Sequence, residues 1–248
     1  MIIKAISLDF WGTLYFGQTC TNTERIKAIH HFLKNKSINK SLVETTNAFM
    51  DFYNYSLTYS STTWKHWYVQ DFLFNTFLRL NIPPSSFDDS EIAELIILIE
   101  EIGYHNCPPS AFSDVVEGVA ALSRDFPLAI LSNVGLTTGR VIRRILDDGG
   151  LSSSIRCFMF SDEIGLTKPH SDVFRKTAHA LNVTTESLLH IGDDVVNDYE
   201  GSIKAGAKGL LICRKQITQI ELKKDMQGLY ITDLRQAPSK ILELESKL

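Results

Sequence analysis

The sequence predicts an α/β protein, with a parallel sheet covered by helices and one inserted all-helical domain. Two observations predict this class. Short, nearly continuous apolar runs alternate with helical patterns over most of the chain, and one long segment near the N-terminus has helical patterns without any such run. Short apolar runs are typical of strands buried on both faces, and their alternation with helices is typical of a parallel sheet.

Six apolar runs are the predicted strands of this sheet. They cover residues 2–8, 127–131, 157–160, 188–191, 209–213 and 229–231. Apolar residues three or four positions apart predict amphipathic helices over 115–122 and 173–181. The last ten residues, 239–248, are predicted to form a terminal helix.

The segment 17–109 differs from the rest of the chain because it is rich in aromatic helical stretches. The pairs Pro83-Pro84 and Pro108-Pro109 divide and end it. We therefore expect two domains: a core built from residues 1–16 and 110–248, and a helical domain of residues 17–109. Five aromatic residues of the insert are predicted to fill its core rather than line a substrate site. They are Trp64, Trp67, Tyr68, Phe72 and Phe74.

The composition excludes several classes of protein. The 248 residues carry 25 basic and 29 acidic side chains, and this net charge of −4 argues against a nucleic-acid partner. The most apolar helical stretch, at 92–99, is too short to cross a bilayer, so no membrane partner is expected. Four cysteines without a close pair in the sequence predict reduced thiols and a cytoplasmic location. They are Cys20, Cys107, Cys157 and Cys213.

Polar and charged residues follow four of the predicted strands. In chain order they are Asp9, Ser132, Asn133, Lys168, Asp193, Asp194 and Asp198. Because the carboxyl ends of parallel strands meet at one edge of a sheet, these side chains are expected to lie together. So many carboxylates cannot stay ionised side by side without a cation, and Mg²⁺ is suited to carboxylate oxygens. A carboxylate beside a cation and anion-binding donors is an arrangement for nucleophilic attack on a phosphoryl group.

Four motifs in this order resemble the motifs of the haloacid dehalogenase superfamily: DFWGTL, ILSN, the lysine of TKPH, and IGDDVVND. The helical insert after the first motif is similar to the first type of cap in that superfamily, and the 36 residues between Ser132 and Lys168 leave no room for a large second insert. The resemblance implies a Rossmann-like catalytic core, a helical cap and a hydrolase. It also implies a small phosphorylated substrate and Mg²⁺ as cofactor.

The resemblance implies a metal-binding role for four residues. Asp9 would be the nucleophile and a metal ligand, and the backbone carbonyl of Trp11 would be a second ligand. Asp193 would bind the metal directly, whereas Asp198, with Asp194 as a less secure candidate, would act through bound water.

The resemblance also implies which residues meet the substrate. Thr13 would shape the loop of the first motif at the substrate-binding site. Ser132 and Asn133 would bind the transferring group. Lys168 would neutralise that group and so take part in catalysis with Asp9.

The sequence departs from the phosphatases of the superfamily at Trp11, where most of them have an aspartate that protonates the leaving alcohol. General acid–base help is worth about 10²–10⁴-fold, so its loss matters. Three explanations stay open. The leaving group needs no proton, a histidine of the insert such as His66 or His105 supplies it, or the protein binds phosphorylated ligands and turns them over slowly.

A haloacid dehalogenase is the main alternative, because those enzymes have an aromatic residue, tyrosine, where this chain has Trp11. They have neutral residues where this chain has Asp193 and Asp194, and without a metal these acids would repel an anionic haloacid. They also have a tyrosine where this chain has Phe174, and an arginine near the position of Lys40. The sequence therefore favours a magnesium-dependent phosphatase over a dehalogenase or a weakly catalytic phospho-ligand binding protein.

Overall fold

A computed structural model describes residues 3–214 and 229–246 of the chain. The chain divides into two compact units, which we call the sheet unit and the helical unit. The sheet unit comprises Met1–Phe16, Ser110–Asn133 and Arg143–Leu248. The helical unit comprises Gly17–Pro109 and Val134–Ile142.

The sheet unit contains a six-stranded parallel sheet, which confirms the predicted α/β class. Its strands in spatial order are β5, β4, β1, β6, β7 and β8. The strand bounds in chain order are β1 Ala5–Leu8, β2 Tyr15–Phe16, β3 Ser110–Ala111, β4 Leu128–Ser132, β5 Ile155–Phe160, β6 Leu188–Gly192, β7 Lys208–Ile212 and β8 Tyr230–Ile231. Each predicted apolar run overlaps one of these six strands. The two-residue strands β2 and β3, which the sequence analysis did not predict, form a separate antiparallel pair.

Strand β1 lies in the centre of the sheet, between β4 and β6, and all four of its residues are buried. Its register places Ser7 opposite Ala129 on one side and His190 on the other. Because all three strands run in the same direction, the residues that follow β1, β4 and β6 emerge at one edge of the sheet. This edge receives Asp9, Ser132 and Asp193.

The helical unit contains four α-helices: α1 Thr21–Asn35, α2 Leu42–Thr63, α3 Val69–Arg79 and α4 Asp89–His105. Helices α2 and α4 each begin with a capping box. In α2 the side chains of Ser41 and Glu44 each accept a hydrogen bond from the backbone N–H of the other residue, and Asp88 and Glu91 do the same in α4. A short 3₁₀-helix begins at Pro84, where proline suits a first helical position.

Aromatic rings form much of the core of the helical unit. Phe49 and Phe52 of α2 each pack against Phe72 of α3 with ring centroids 4.9 Å apart. Of the aromatic residues predicted for this core, Phe72 is buried in it, and Trp67 and Phe74 are partly buried and pack against the core. The prediction is wrong for Trp64 and Tyr68, which are 40% and 48% exposed. Both lie at the boundaries of helices, where a side chain can turn towards solvent.

The segment Val134–Ile142, which the sequence analysis placed with the core, belongs to the helical unit. Arg25 of α1 donates to the Thr137 hydroxyl at 2.7 Å, and Arg140 pairs with Glu100 of α4 at 2.7 Å. Leu136 is part of the apolar core of this unit. The helical unit therefore includes the residues that directly follow Ser132 and Asn133.

Cys20 and Cys107 form a disulfide within the helical unit, with their Cα atoms 6.3 Å apart. This corrects the expectation that the cysteines form no pair. They are separated by 87 residues along the chain, and only the fold brings them together. Cys157 and Cys213 are free thiols.

In the described part of the chain, six further α-helices accompany the sheet: α5 Val115–Ser123, α6 Gly139–Asp148, α7 Ser161–Ile164, α8 Ser171–Ala180, α9 Gly201–Lys204 and α10 Ala237–Ser246. Helix α6 begins in the helical unit and ends in the sheet unit. The terminal helix predicted over 239–248 is α10, and its last two predicted residues lie outside the described part of the chain. Across residues 3–214 and 229–246, each helix is too short or too polar to cross a bilayer.

Candidate active site

A buried ion-pair chain lies at the carboxyl edge of the sheet. The Lys168 ammonium is 2.8 Å from Asp9 Oδ1 and 2.6 Å from Asp198 Oδ1. All three residues are buried, with 3% of Lys168, 7% of Asp9 and 2% of Asp198 exposed. Buried charges are tolerated where they are paired and hydrogen-bonded. The structure thus brings together the predicted nucleophile, the predicted lysine and one predicted metal-site acid.

The same burial moves the pKa values of these groups in different directions. Burial raises the pKa of Asp9, and the attraction of Lys168 offsets only part of this rise. For Asp198 burial acts in the same direction, but the charge of Lys168 and the hydrogen bond from His190 outweigh it and hold the pKa well below its usual range. Burial lowers the pKa of Lys168, yet the two carboxylates outweigh that effect and raise it overall. Lys168 and Asp198 therefore stay charged at neutral pH.

Asp193 is the exposed carboxylate of the cluster. One oxygen each of Asp9, Asp193 and Asp198 lies within 4.8 Å of the others. Partial desolvation, followed by the charges of Asp9 and Asp198, raises the pKa of Asp193 to about 7. The close approach depends on Gly12, whose φ is 73° and where a Cβ atom would lie 2.2 Å from Asp193 Oδ2. A side chain at position 12 would therefore be strained at this φ and would displace the Asp193 carboxylate from its present position.

Asp194 begins the π-helix Val195–Glu200. Its side chain accepts hydrogen bonds from the backbone N–H groups of Val196 at 2.8 Å and Asn197 at 2.7 Å. Its own backbone N–H donates to Asp198 Oδ2 at 2.9 Å. Asp194 therefore caps the segment that carries Asp198 and orients the Asp198 carboxylate.

Ser132 and Asn133 follow β4 but make different contacts. The Ser132 hydroxyl is buried and, among the described residues, has no hydrogen-bond partner of normal geometry, although it is close enough to Asp9 to lower the pKa of that carboxyl. The Asn133 side chain contacts the backbone of Lys168, donating to its carbonyl at 3.0 Å and accepting from its N–H at 2.7 Å. Ser132 thus has an uncommitted donor beside Asp9, whereas Asn133 orients Lys168.

Thr13 and Trp11 lie in the loop of the first motif. The Thr13 hydroxyl donates to Asp193 Oδ1 at 3.4 Å, and its carbonyl accepts from Arg214 Nε at 3.0 Å. Arg214, which the sequence analysis missed, is fixed by Asp114 at 2.6 Å. The Trp11 ring meets Phe10 edge-on with centroids 4.7 Å apart, and its backbone forms a bridge with Tyr15. The loop is therefore shaped by backbone contacts on both sides of Gly12.

His190 and Ser7 form a second group that the sequence analysis did not place in the site. His190 Nε2 is 3.1 Å from Asp198 Oδ1, and its Nδ1 is 2.8 Å from the Ser7 hydroxyl. Burial lowers the pKa of His190, although the hydrogen bond to Asp198 acts in the opposite direction. A histidine inside an apolar strand is the one sequence signal that could have drawn attention to it, although such a residue is also compatible with a structural role.

The donor set fits a divalent cation. When all three carboxylates are ionised, they exceed the one ammonium group by two negative charges, and all the candidate ligands are oxygens. The Asp198 oxygens already accept from Lys168, His190 and the Asp194 N–H, whereas Asp193 is exposed. The residues best placed to hold Mg²⁺ are thus Asp9 and Asp193, with Asp198 beside them.

Comparison with known families shows which family has this fold and these motifs. The sequence model of the haloacid dehalogenase-like hydrolase family matches residues 3–206. The chain is a haloacid dehalogenase-like hydrolase. The resemblance of its four motifs to that superfamily is confirmed, and its hydrolase class is established by this match.

Curated relatives of this haloacid dehalogenase-like hydrolase are distant. Haloacid dehalogenase-like hydrolase domain-containing protein 3 of Danio rerio is 27% identical over 113 residues, 45% of this chain and 47% of that protein. Glyceraldehyde 3-phosphate phosphatase of Pyrococcus furiosus is 30% identical over 108 residues, 43% of this chain and 42% of that protein. The chain spans less than half the length of these two relatives.

Solved structures resemble this haloacid dehalogenase-like hydrolase over nearly its whole length. A 2-haloacid dehalogenase from Pseudomonas syringae matches with a TM-score of 0.70 and 16% identity, covering 98% of this chain and 99% of that one. A HAD phosphatase from Thermococcus onnurineus matches with a TM-score of 0.65 and 16% identity, covering 96% and 98%. At this identity the likeness concerns the fold, which is shared by dehalogenases and phosphatases.

Proposed function

We propose that this hydrolase is a magnesium-dependent phosphatase that transfers the phosphoryl group of a small metabolite to Asp9. The observation that carries the proposal is the buried chain Asp9–Lys168–Asp198 beside the exposed Asp193, with oxygens of the three carboxylates within 4.8 Å. An excess of negative charge at the sheet edge suits a divalent cation, and the combination suits an anionic phosphate ester. The phosphatase named among its relatives supports the same class.

In the first step, one oxygen of the Asp9 carboxylate attacks phosphorus and the bond from phosphorus to the ester oxygen breaks. The electron pair of that bond leaves with the ester oxygen, which departs as an anion and takes its proton from solvent water afterwards. Lys168, 2.8 Å from Asp9, neutralises charge on the phosphoryl oxygens as they pass close to the nucleophile. The uncommitted Ser132 hydroxyl donates a hydrogen bond to one of them. The product of this step is an aspartyl phosphate.

In the second step, water attacks the phosphorus of the aspartyl phosphate and the bond to Asp9 breaks. This releases inorganic phosphate, restores the carboxylate and returns the side chain to its ion pair with Lys168. Asp9, Asp193 and the Trp11 carbonyl, with Asp198 acting through water, would hold Mg²⁺, which would supply positive charge next to the phosphoryl oxygens. Thr13 and Asn133 contribute by fixing the loop of the first motif and the backbone of Lys168.

The leaving group is the part of this reaction for which the chain has no evident acid. Trp11 occupies the position where related phosphatases carry an aspartate, and an indole cannot protonate an alkoxide. We therefore propose a substrate whose leaving group departs without help, such as an acyl phosphate or an ester of an acidic alcohol. A histidine of the helical unit, His66 or His105, is the alternative proton source.

The nucleophile is tested by Asp9→Asn, with Asp125→Asn, an exposed aspartate on the surface of the sheet unit, as the matched control. With para-nitrophenyl phosphate and a panel of metabolite phosphates in Mg²⁺, Asp9→Asn is expected to lose turnover by at least about 10³-fold, since the covalent step is removed. Asp125→Asn should keep the turnover of the unchanged protein, and a chelator should suppress turnover in the unchanged protein. Turnover that survives Asp9→Asn would remove this mechanism.

A haloacid dehalogenase is the second candidate because Trp11 supplies an aromatic residue beside the nucleophile. Phe174, where dehalogenases have a tyrosine, speaks against it, because this side chain is buried and its ring packs against His190 with centroids 5.3 Å apart. Halide release from a 2-haloacid in the presence of a chelator, without turnover of phosphate esters, would favour the dehalogenase. Phosphate release that needs Mg²⁺ would favour the phosphatase.

The missing acid is tested by Trp11→Asp. A carboxylic acid at this position can protonate a poor leaving group, so hydrolysis of an alkyl phosphate should rise by about 10²-fold or more, whereas para-nitrophenyl phosphate should gain little. Trp11→Asn, which is polar but carries no acid, is the control. Equal rates for the Asp and Asn variants on the alkyl phosphate would show that proton supply does not limit the reaction.

A further inference from the structure

The residues below the ion-pair chain form a continuous buried series of hydrogen bonds. It runs from the Ser7 hydroxyl through both nitrogens of His190 to Asp198, and from there through Lys168 to Asp9. We propose that Ser7 and His190 are positioning residues, which orient Asp198 and thereby the Lys168 ammonium beside the nucleophile. The proposal rests on the proposed function, because that function makes Asp9 the nucleophile.

The strand register produces this series. Ser7 of β1 and His190 of β6 are directly paired in neighbouring parallel strands. Ser7 lies two positions before Asp9, so both residues have the same orientation in the alternation of the strand. The Ser7 hydroxyl and the His190 imidazole therefore lie one step further into the sheet than the acids. Every other residue of β1 and β6 is apolar, apart from the terminal Gly192.

Hydrogen-bond chemistry fixes the direction of the series. An ionised carboxylate only accepts, so Nε2 of His190 must carry the hydrogen and donate to Asp198. Nδ1 lies 2.8 Å from the Ser7 hydroxyl, and in this proposal the hydroxyl donates to Nδ1 while the hydrogen of the ring is on Nε2. Ser7 thus selects the tautomer that can bind Asp198. The ring cannot turn freely, because Phe174 packs edge-on against it.

Asp198 links the orientation of the His190 ring to the position of the Lys168 ammonium, because one of its oxygens accepts hydrogen bonds from both. Its Oδ1 accepts from His190 at 3.1 Å and from Lys168 at 2.6 Å, and its Oδ2 accepts from the Asp194 N–H at 2.9 Å. Without His190, Oδ1 loses the second of its two donors and the carboxylate can rotate about the remaining bonds. The ammonium would move with it, and small displacements of catalytic groups can cost about 10²-fold in rate.

The test compares His190→Leu with His190→Gln, of which only the second keeps an N–H donor. Turnover of para-nitrophenyl phosphate in Mg²⁺ is expected to fall by about 10–100-fold in kcat for His190→Leu, with a smaller change in KM, because partners behind a site typically contribute that much. Mg²⁺ affinity, measured by calorimetry, is expected to weaken as well. His190→Gln should recover part of both losses.

The control is Leu189→Val, which shortens a buried neighbour on the opposite face of β6 and should change only the free energy of unfolding. Ser7→Ala provides a milder variant in case His190→Leu does not fold. It is expected to lower kcat less than His190→Leu, and Ser7→Cys, which keeps a weak donor of similar size, should recover part of the loss.

Nuclear magnetic resonance of ¹⁵N-labelled histidine reads the tautomer without any turnover. The ring of His190 should carry its hydrogen on Nε2 in the unchanged protein and show a mixture of tautomers in Ser7→Ala. A hydrogen on Nδ1 alone, or Leu and Gln variants that match Leu189→Val in kcat and Mg²⁺ affinity, would overturn the proposal. If the unchanged protein hydrolyses no phosphate ester, the proposed function fails, while the tautomer and the Mg²⁺ titration still decide the positioning role.

Discussion

A buried cation is stabilised by different partners in the sheet unit and in the helical unit. Lys168 of the sheet unit lies between two carboxylates, which raise its pKa against the effect of burial. Arg25 of the helical unit donates to two neutral oxygens, the Ile99 carbonyl at 3.1 Å and the Thr137 hydroxyl at 2.7 Å. Burial lowers the pKa of Arg25 to about 10. One cation is matched by charge and the other only by hydrogen bonds.

The two units also differ in how much charge they bury. Within the described residues, Arg25 is the only charged side chain buried in the helical unit, whose other buried side chains are aromatic, aliphatic or uncharged polar ones such as Thr45 and Thr76. The sheet unit buries Asp9, Lys168 and Asp198 next to one another, although taking ions out of water costs several kcal/mol each. A cluster of this kind is expected where chemistry needs charge, and it supports the proposal that the sheet unit carries the catalytic site.

The largest expected effect is that of Lys168→Met. Removal of the ammonium leaves Asp9 and Asp198 buried without their shared cation, so the free energy of unfolding should fall by about 3–5 kcal/mol and turnover should be lost. Denaturant unfolding, combined with hydrogen exchange of peptides from each unit, measures the loss and locates it in the sheet unit. The exposed Lys176→Met is the control. A variant as stable as the control would mean that the carboxylates do not depend on Lys168.

Part of the sheet-edge cluster could be predicted from the sequence because Asp9, Ser132 and Asp193 lie at the ends of apolar runs. Once the parallel sheet is inferred from those runs, topology alone gathers Asp9, Ser132 and Asp193 at one edge. Lys168 follows no apolar run directly, and it was placed by its order among the motifs. The structure brings it between Asp9 and Asp198, and its catalytic role stays a prediction.

The contacts that support the cluster could not be predicted, because they join residues with no local pattern. Ser7 and His190 are 183 positions apart and meet only through the register of β1 and β6. Asn133 was expected to bind substrate, but its amide is used by the backbone of Lys168. A sequence shows that a residue is polar and follows a strand, and it does not show which neighbour takes its hydrogen bonds.

The disulfide is expected to give the next largest effect. Cys20 and Cys107 close a loop across 87 positions, and a bridge of this kind stabilises by about 2–4 kcal/mol, chiefly by restricting the unfolded chain. Cys107→Ser should therefore lower the stability of the helical unit, with Cys157→Ser as a control that removes a free thiol. Thiol titration of the denatured protein should find two thiols without reductant.

The thiol titration also tests the cytoplasmic location predicted from the sequence, where thiols are kept reduced. If the protein isolated with its thiols trapped in the cell shows four free cysteines, the pair is reduced there and the bridge forms only under oxidising conditions. If it shows two, the bridge exists in the cell and the predicted location is wrong or the pair resists reduction. In both cases Cys107→Ser measures what the bridge contributes.

The smallest expected effect is that of Arg25→Met, the counterpart of Lys168→Met in the helical unit. The substitution leaves the Ile99 carbonyl and the Thr137 hydroxyl without a donor but exposes no buried charge, so the cost should be about 1–3 kcal/mol. Hydrogen exchange should locate the loss in peptides of 17–109 and 134–142, and the exposed Lys34→Met should show none. Because methionine fills a similar volume without a charge to desolvate, the cost must stay below that of Lys168→Met. An equal loss would mean that Arg25 also neutralises an anion, and the contrast between the two units would no longer stand.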